Sequence, residues 1–236
     1  MKILVVPCCY NEGQKIQDQL RRYPVERDYD LLILDDGTTD GSLANAADFG
    51  AKVLSHPTNL GVGRAQKTAF RYALDHGYDV ILFMAGNNKD EPLEIPRLLA
   101  PIVNDGCDFV QGSRYLPGGN YGNMPLYRRF ATQFVHPWFF SLVSFRRTTD
   151  STNGFRAFRL SLLRDPRIDI TQAWLDRYEL EPYLYFKAIR LGYKVREVPC
   201  TKIYPAHQLG YTKMKPITGW WSILRPLVFL GLRLKT

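Results

Sequence analysis

The stretch VILFMAGNNKDEP, residues 80–92, decides how this chain is read. Val80 to Met84 is a short apolar run with no polar break, closed off by Gly86, which is the pattern of a strand buried on both faces. It stops abruptly, and Asn87 and Asn88 follow. In α/β proteins, ligands sit beyond the carboxyl ends of parallel strands. A metal–phosphate site at such a strand end would call for carboxylates, and here two asparagines stand instead.

Working outward, the same pattern recurs. Ile3 to Val6, Leu31 to Leu34, Ala51 to Leu54, Phe109 to Gln111 and Val195 to Val198 read as further strands. Between them, Asn11 to Arg22, Ser42 to Phe49, Gly63 to His76 and Glu179 to Leu191 read as helices, the third with Ala65, Ala69, Tyr72 and Ala73 on one face. Continuous apolar strands separated by helices predict an α/β fold with a mostly parallel sheet covered on both sides. The polar clusters Tyr10-Asn11-Glu12, Asp35-Asp36 and Asn87-Asn88 then fall together at the carboxyl edge.

The 236 residues suffice for one substantial domain, and 45% hydrophobic with 23% charged residues is a globular balance. A formal net charge of +8 favours anionic partners such as phosphorylated small molecules or an anionic membrane face, or else a solvated basic surface. No aromatic-basic module for nucleic acid is present. Cys8, Cys9, Cys107 and Cys200 have neither C-x-x-C nor zinc-ligand spacing, as expected of free thiols in a reducing compartment. The apolar run at the N-terminus is too short for a signal peptide, and no segment is long and apolar enough to span a bilayer.

The second half changes character. LPGGNYGNMP (116–125) is a Gly/Pro/Asn loop, and residues 128–147, RRFATQFVHPWFFSLVSFRR, are aromatic between arginine pairs. Residues 201–236 hold six Lys/Arg and no acidic residue, with Trp220, Trp221 and Phe229. Both basic aromatic segments suit a membrane interface, and Pro137 and Pro226 interrupt their helical patterns. Packing on the sheet as ordinary core is the alternative for each.

Six motifs in order then make a resemblance: PCCYNE (7–12), LDDGTTDGS (34–42), NLGVGRA (59–65), GSRY (112–115), DSTNGFRAFR (150–159) and LGYKVREVP (191–199). Together they cover nearly the whole chain, which resembles the family 2 glycosyltransferases of GT-A fold, in the branch of dolichol-phosphate mannosyltransferase and bacterial polyprenyl-phosphate relatives. The resemblance implies a single GT-A (Rossmann-like) domain over 1–236. Residues 1–115 form its nucleotide-binding half, 116–200 its acceptor half and 201–236 a basic amphipathic tail.

It also implies site residues. Pro7, Tyr10, Asn11 and Glu12 would line the nucleotide pocket, with Tyr10 stacking on the base, although Asn11 also suits a helix cap. Asp36 would bind the nucleoside. Arg64 or Lys67 would add charge near phosphate at a helix start, where Gly61-Val62-Gly63 fails as a dinucleotide fingerprint because Gln66 takes the third glycine position. Relatives carry Asp-x-Asp at the end of the fourth strand to hold Mg²⁺ or Mn²⁺; here Ala85, Gly86 and Asn87 occupy that place beside the nucleotide. Alanine offers no ligand atom and asparagine only a neutral carbonyl. Metal binding is therefore expected to be weak, through Asn87 and Asp90, or replaced by cations drawn from Lys89, Arg114, Arg156, Lys213 and Lys215.

Asn87, Arg114, Arg156 and Glu179 are the expected catalytic groups, and Asp150, Arg156, Lys213 and Lys215 the acceptor-phosphate groups. Glu179 and Glu181, in YELEP, are the candidate bases. The implied reaction is inverting transfer of a sugar from a nucleotide-sugar donor to a polyprenyl phosphate or lipid-linked glycan. The implied location is cytoplasmic, peripheral at the inner face of a membrane. A catalytically degenerate nucleotide-sugar-binding protein and a nucleotidyltransferase are the rival readings. Donor base, sugar and oligomeric state are left open.

Overall fold

The computed structural model describes residues 1–204 and 216–235, with backbone only at 216–220. Lys213, Lys215 and the side chain of Trp220 therefore lie outside the described residues.

Seven strands form one sheet in the order β3-β2-β1-β4-β6-β5-β7: β1 (Ile3–Cys9), β2 (Asp30–Asp35), β3 (Ala51–Ser55), β4 (Val80–Ala85), β5 (Phe109–Ser113), β6 (Arg156–Arg159) and β7 (Val195–Pro199). β1, β2, β3 and β4 are mutually parallel, as are β5 and β7. β6 runs antiparallel between β4 and β5, placing Arg156 opposite Phe83. Thus the mostly parallel α/β sheet expected from the sequence is present, with one reversed strand.

Side-chain alternation explains the double coating. Leu4 and Val6 of β1 face one core with Leu32, Leu34, Ile81 and Phe83. Ile3 and Val5 face the other with Leu31, Ile33, Val80 and Leu82. The first layer contains α2 (Val62–Asp75), α6 (Leu180–Arg190) and α7 (Pro216–Gly231), and the second α1 (Gln14–Leu20) and α3 (Ile95–Asp105). α2 buries Ala65, Ala69, Phe70 and Ala73 at helical spacing against the strands. Around β5 and β6, Phe109 stacks on Phe158 at 5.3 Å and on Tyr185 at 5.2 Å, and Tyr185 on Phe140 at 4.8 Å.

Local expectations fail in three places. The predicted helix over 42–49 is a chain of turns ending in a 3-10 turn at Ala46–Phe49, closed by Gly50 at φ +64°. Asn11 does not cap α1: Gly13 does, and Asn11, at φ +47°, accepts from Thr39 N at 2.8 Å instead. The aromatic segment forms α4 (Leu126–Phe130) and α5 (His136–Ser144) joined by a π-turn at Ala131–Val135. That widened turn falls where Pro137 has no N–H for the Gln133 carbonyl.

α7 continues through Pro226 and docks by one face only. Leu227 and Leu230 are buried, whereas Trp221, Leu232 and Leu234 are exposed. Arg225 pairs with buried Glu179 at 2.5 Å, and Trp174 meets Phe229 edge-on at 5.7 Å. Among the described residues no helix is long and apolar enough to cross a membrane.

Candidate active site

A cleft of about 590 Å³ opens at the carboxyl edge of the sheet. Its floor comes from the ends of β1 and β4, through Cys8, Cys9, Tyr10, Phe83, Met84, Ala85 and Asn87. This is the place a parallel sheet offers a ligand, because diverging loops leave a crevice there.

Why asparagines stand at the tip of β4 now has a local answer. Asn88 sits at φ +58°, a left-handed conformation that Asn tolerates better than most residues. Its N–H donates to Gln19 Oε1 at 2.9 Å, and its side-chain oxygen accepts from Arg22 at 2.6 Å, tying the loop to α1. Asn87 faces the cleft, with Oδ1 accepting from Lys89 N at 3.3 Å. Gly86 is required sterically: a Cβ there would meet Cys8 O at 2.8 Å.

Other expected nucleotide contacts divide. Tyr10, Glu12, Asp36 and Ala85 line the cleft. Asp36 holds the wall: its Oδ1 accepts from Leu60 N at 2.9 Å and its Oδ2 from Gly61 N at 2.9 Å, while His56 Nδ1 lies 2.8 Å from Oδ1. Pro7 is buried within β1, and Asn11 braces the 38–39 loop. Arg64 points elsewhere, pairing with Asp176 at 3.4 Å, and Lys67 pairs with the same carboxylate.

The acceptor-side residues are rearranged relative to expectation. Arg114 forms a buried fork with Asp150, Nε to Oδ2 at 2.6 Å and Nη2 to Oδ1 at 2.8 Å, so neither side chain lines the cleft. Burial alone would lower the Arg114 guanidinium, and Asp150 more than reverses this. Arg156 does reach the cleft, although it is 2% exposed. It donates to Glu181 O at 2.8 Å, its Nη2 lies 4.0 Å from Glu181 Oε2, and its Nε has no hydrogen-bond partner among the described residues. The alternative partner for Arg156, Asp150, is thus taken by Arg114.

Of the two glutamates in YELEP, the buried Glu179 holds α7 through Ser222 and Arg225 and lies away from the cleft. Glu181 is the carboxylate that lines it, accepting from Gln66 Nε2 at 3.1 Å. The expectation of Glu179 as a reacting group is corrected accordingly: its charge is committed to a buried ion pair.

Sequence reasoning missed a strap across the cleft. Ile203 N donates to Lys89 O at 2.9 Å, Asp90 bridges to Lys202, and Tyr204 N donates to Gly122 O at 3.0 Å. This strap brings Lys202 and Tyr204 to the wall, and α4 adds Arg128. Lys89 Nζ lies 4.7 Å, and Arg128 Cζ 5.4 Å, from the centre of the same Tyr204 ring. Burial, then the Lys202, Arg128 and Lys15 charges, push the Lys89 ammonium down to about 7. No local motif announces contacts made across more than 70 residues; only the basic, acid-free composition after 200 hints at them.

A divalent cation does not fit these side chains well. Ala85 has no donor, and Asn87 gives one neutral oxygen. Asp90 is fully buried, with Oδ2 accepting from Ala85 N at 2.9 Å and Oδ1 paired with Lys202, so its expected role as a ligand is overturned. Among the described residues, no group of three or more His, Cys, Asp or Glu side chains is placed to hold a metal ion.

A mostly parallel sheet with one reversed strand, and a cleft at its carboxyl edge, define an α/β protein of the nucleotide-binding type of architecture. The chain belongs to glycosyl transferase family 2, whose family model matches residues 4–167. It is 31% identical to undecaprenyl-phosphate mannosyltransferase of Micrococcus luteus over 220 residues, covering 91% of this chain and 88% of that one. It is 32% identical to polyprenol monophosphomannose synthase of Mycolicibacterium smegmatis, covering 78% of this chain and 69% of that one. In architecture it is similar to glucosyl-3-phosphoglycerate synthase of Mycobacterium tuberculosis, solved with Mn²⁺, UDP and glucosyl-3-phosphoglycerate. That match has a TM-score of 0.66 at 20% identity, over 96% of this chain and 80% of that one. The fold is the GT-A fold, and the protein is a glycosyltransferase.

Proposed function

We propose that this enzyme transfers a sugar, with inversion, from a nucleotide-sugar donor to a polyprenyl phosphate at a membrane surface. The observation that carries this is the charge of the cleft: Lys15, Lys89, Arg128, Arg156, Arg177 and Lys202 line it against the carboxylates Glu12, Asp36 and Glu181. Both substrates are phosphate anions, and the two relatives at 31% and 32% identity are named as an undecaprenyl-phosphate mannosyltransferase and a polyprenol monophosphomannose synthase.

In the reaction, an acceptor phosphate oxygen forms the new bond to the anomeric carbon as the bond to the donor diphosphate breaks. The nucleoside diphosphate leaves. An ionised phosphate brings its own electron pair, so positioning matters more than deprotonation. Arg156, whose side chain reaches the cleft, is a clamp for one of the phosphates, and cations stabilise the leaving charge.

The membrane contact is α4, α5 and their π-turn. Leu126, Tyr127, Phe130, Phe134, Trp138 and Phe145 are all exposed there. Arg128, Arg129, Arg146 and Arg147 are interspersed, as suits an anionic lipid surface. Arg128 belongs both to this segment and to the cleft, so a lipid phosphate would meet the site from the bilayer side. Trp221, exposed on α7, would extend the same contact, and the proposed location is the cytoplasmic face of the membrane.

The test is transfer from a panel of UDP-, GDP-, CDP- and dTDP-sugars to undecaprenyl phosphate in anionic vesicles, read by mass spectrometry, with the anomeric configuration read by NMR. The expected product is a glycosyl phosphodiester of inverted configuration. Transfer confined to a soluble hydroxyl acceptor, or no transfer from any donor, would overturn the proposal.

A further inference from the structure

On the reading of the cleft as a donor site, we propose that the donor diphosphate is gripped by a lysine–arginine cluster, Lys89, Lys202, Arg128 and Lys15, in place of a divalent cation. The four come from four separate segments: the loop after β4, the 201–204 strap, α4 and α1. Ile203 N donating to Lys89 O brings the strap alongside the β4 loop, and Tyr204 N donating to Gly122 O ties it to the 116–125 loop. Lys89 and Arg128 then share one aromatic ring, Tyr204. Lys89 is 7% exposed.

Crowding like charges in a partly desolvated place is unfavourable unless an anion completes the group. Glu12 pairs with Lys15 at 2.7 Å, and Asp90 with Lys202. These two acids set the lysines in position, and among the described residues six Lys/Arg line the cleft against three Asp/Glu. A diphosphate supplies the counter-charge, and its oxygens can accept from several donors at once. Ala85 and Asn87 at the tip of β4 fit the same logic, since carboxylates there without a metal would repel the ligand.

Calorimetric titration of the full chain with UDP and with GDP, each in EDTA and in Mn²⁺, tests this. For whichever nucleotide binds, affinity in EDTA is expected to lie within about threefold of that in Mn²⁺. Lys89→Gln and Arg128→Gln should each weaken diphosphate binding by about tenfold, the loss of a charge-assisted contact. Binding of the parent nucleoside should be unchanged, which a general loss of structure would not leave intact. Ala85→Asp, which adds an acid without touching the cluster, should weaken binding in EDTA and restore it partly with Mn²⁺. Binding only in Mn²⁺, or full affinity in both Gln variants, would overturn the proposal while leaving the donor-site reading intact. No binding in either condition would remove both.

Discussion

Arg114 and Asp150 are locked together beneath the cleft, with two parallel side-chain hydrogen bonds and a third from Arg114 N to Asp150 Oδ2 at 3.1 Å. Arg114 is 3% exposed and Asp150 is fully buried. The pair joins the end of β5 to the loop before β6, and so fixes the wall carrying Ser151, Thr152 and Gly154. Removing either partner strands a buried charge. Asp150→Ala is expected to cost about 3–5 kcal/mol of stability in urea unfolding. Arg114→Lys should recover only part of the loss, because an ammonium cannot reproduce the fork. A variant as stable as the parent would mean the pair is dispensable.

Gly63 packs against the backbone of the 175–177 segment so closely that a Cβ would lie 2.1 Å from Leu175 O and 2.5 Å from Arg177 O. Gly63→Ala must push this segment away, and with it Arg177 and Tyr178 on the cleft wall. The expected loss is about 1–3 kcal/mol from overpacking, together with weaker nucleotide binding in calorimetry. Unchanged stability would show that the segment yields freely.

The two glutamates of YELEP should separate cleanly. Glu179→Gln disturbs the buried pairing with Arg225 and Ser222 and is expected to lower the melting temperature through α7. Glu181→Gln leaves the fold in place and probes the acceptor. With an ionised phosphate as nucleophile, kcat should fall less than about tenfold, against the 10²–10⁴-fold expected where a general base is lost. A collapse of kcat in Glu181→Gln would point to a hydroxyl acceptor.

Buried His136 ties α5 to the loop before β6 through Ser151 Oγ at 2.7 Å, and to α7 through Ile223 O at 3.3 Å. Burial lowers its pKa from 6.5 to about 4. The unfolded chain therefore takes up a proton at a pH where the folded one does not. Stability from this group is complete above pH 6.5 and drains away as pH falls toward 4, by roughly 3 kcal/mol in all. His136→Asn should flatten that part of the pH dependence of urea unfolding; an unchanged slope would assign the acid sensitivity elsewhere.

Much of the sheet was legible because its strands are uniform apolar runs. Ile3 to Val6 and Val80 to Met84 have no polar interruption, and the strands are seen where they were expected. β6 was not legible. Its sequence, RAFR, carries an arginine at each end, and it is a strand only because Phe158 and Ala157 fit between β4 and β5. Tyr10, Glu12, Asp36, Asn87 and Arg156, which the motifs single out, line the cleft. Arg114, Asp150, Glu179 and Asp90 were not separable from them in sequence, because a buried ion pair and a ligand-facing charge use the same residue types. Arg128, Lys202 and Tyr204 needed three-dimensional closure of distant loops.

The reversed strand has a practical consequence for engineering. β6 belongs to the later part of the chain, yet both its neighbours, β4 and β5, precede residue 115. A hybrid enzyme spliced at 115 would ask one parent's strand to hydrogen-bond on both edges to the other parent's strands. Donor and acceptor preferences are therefore woven into a common fabric, and trading them between relatives calls for exchanging loops at its rim instead of cutting the chain in two.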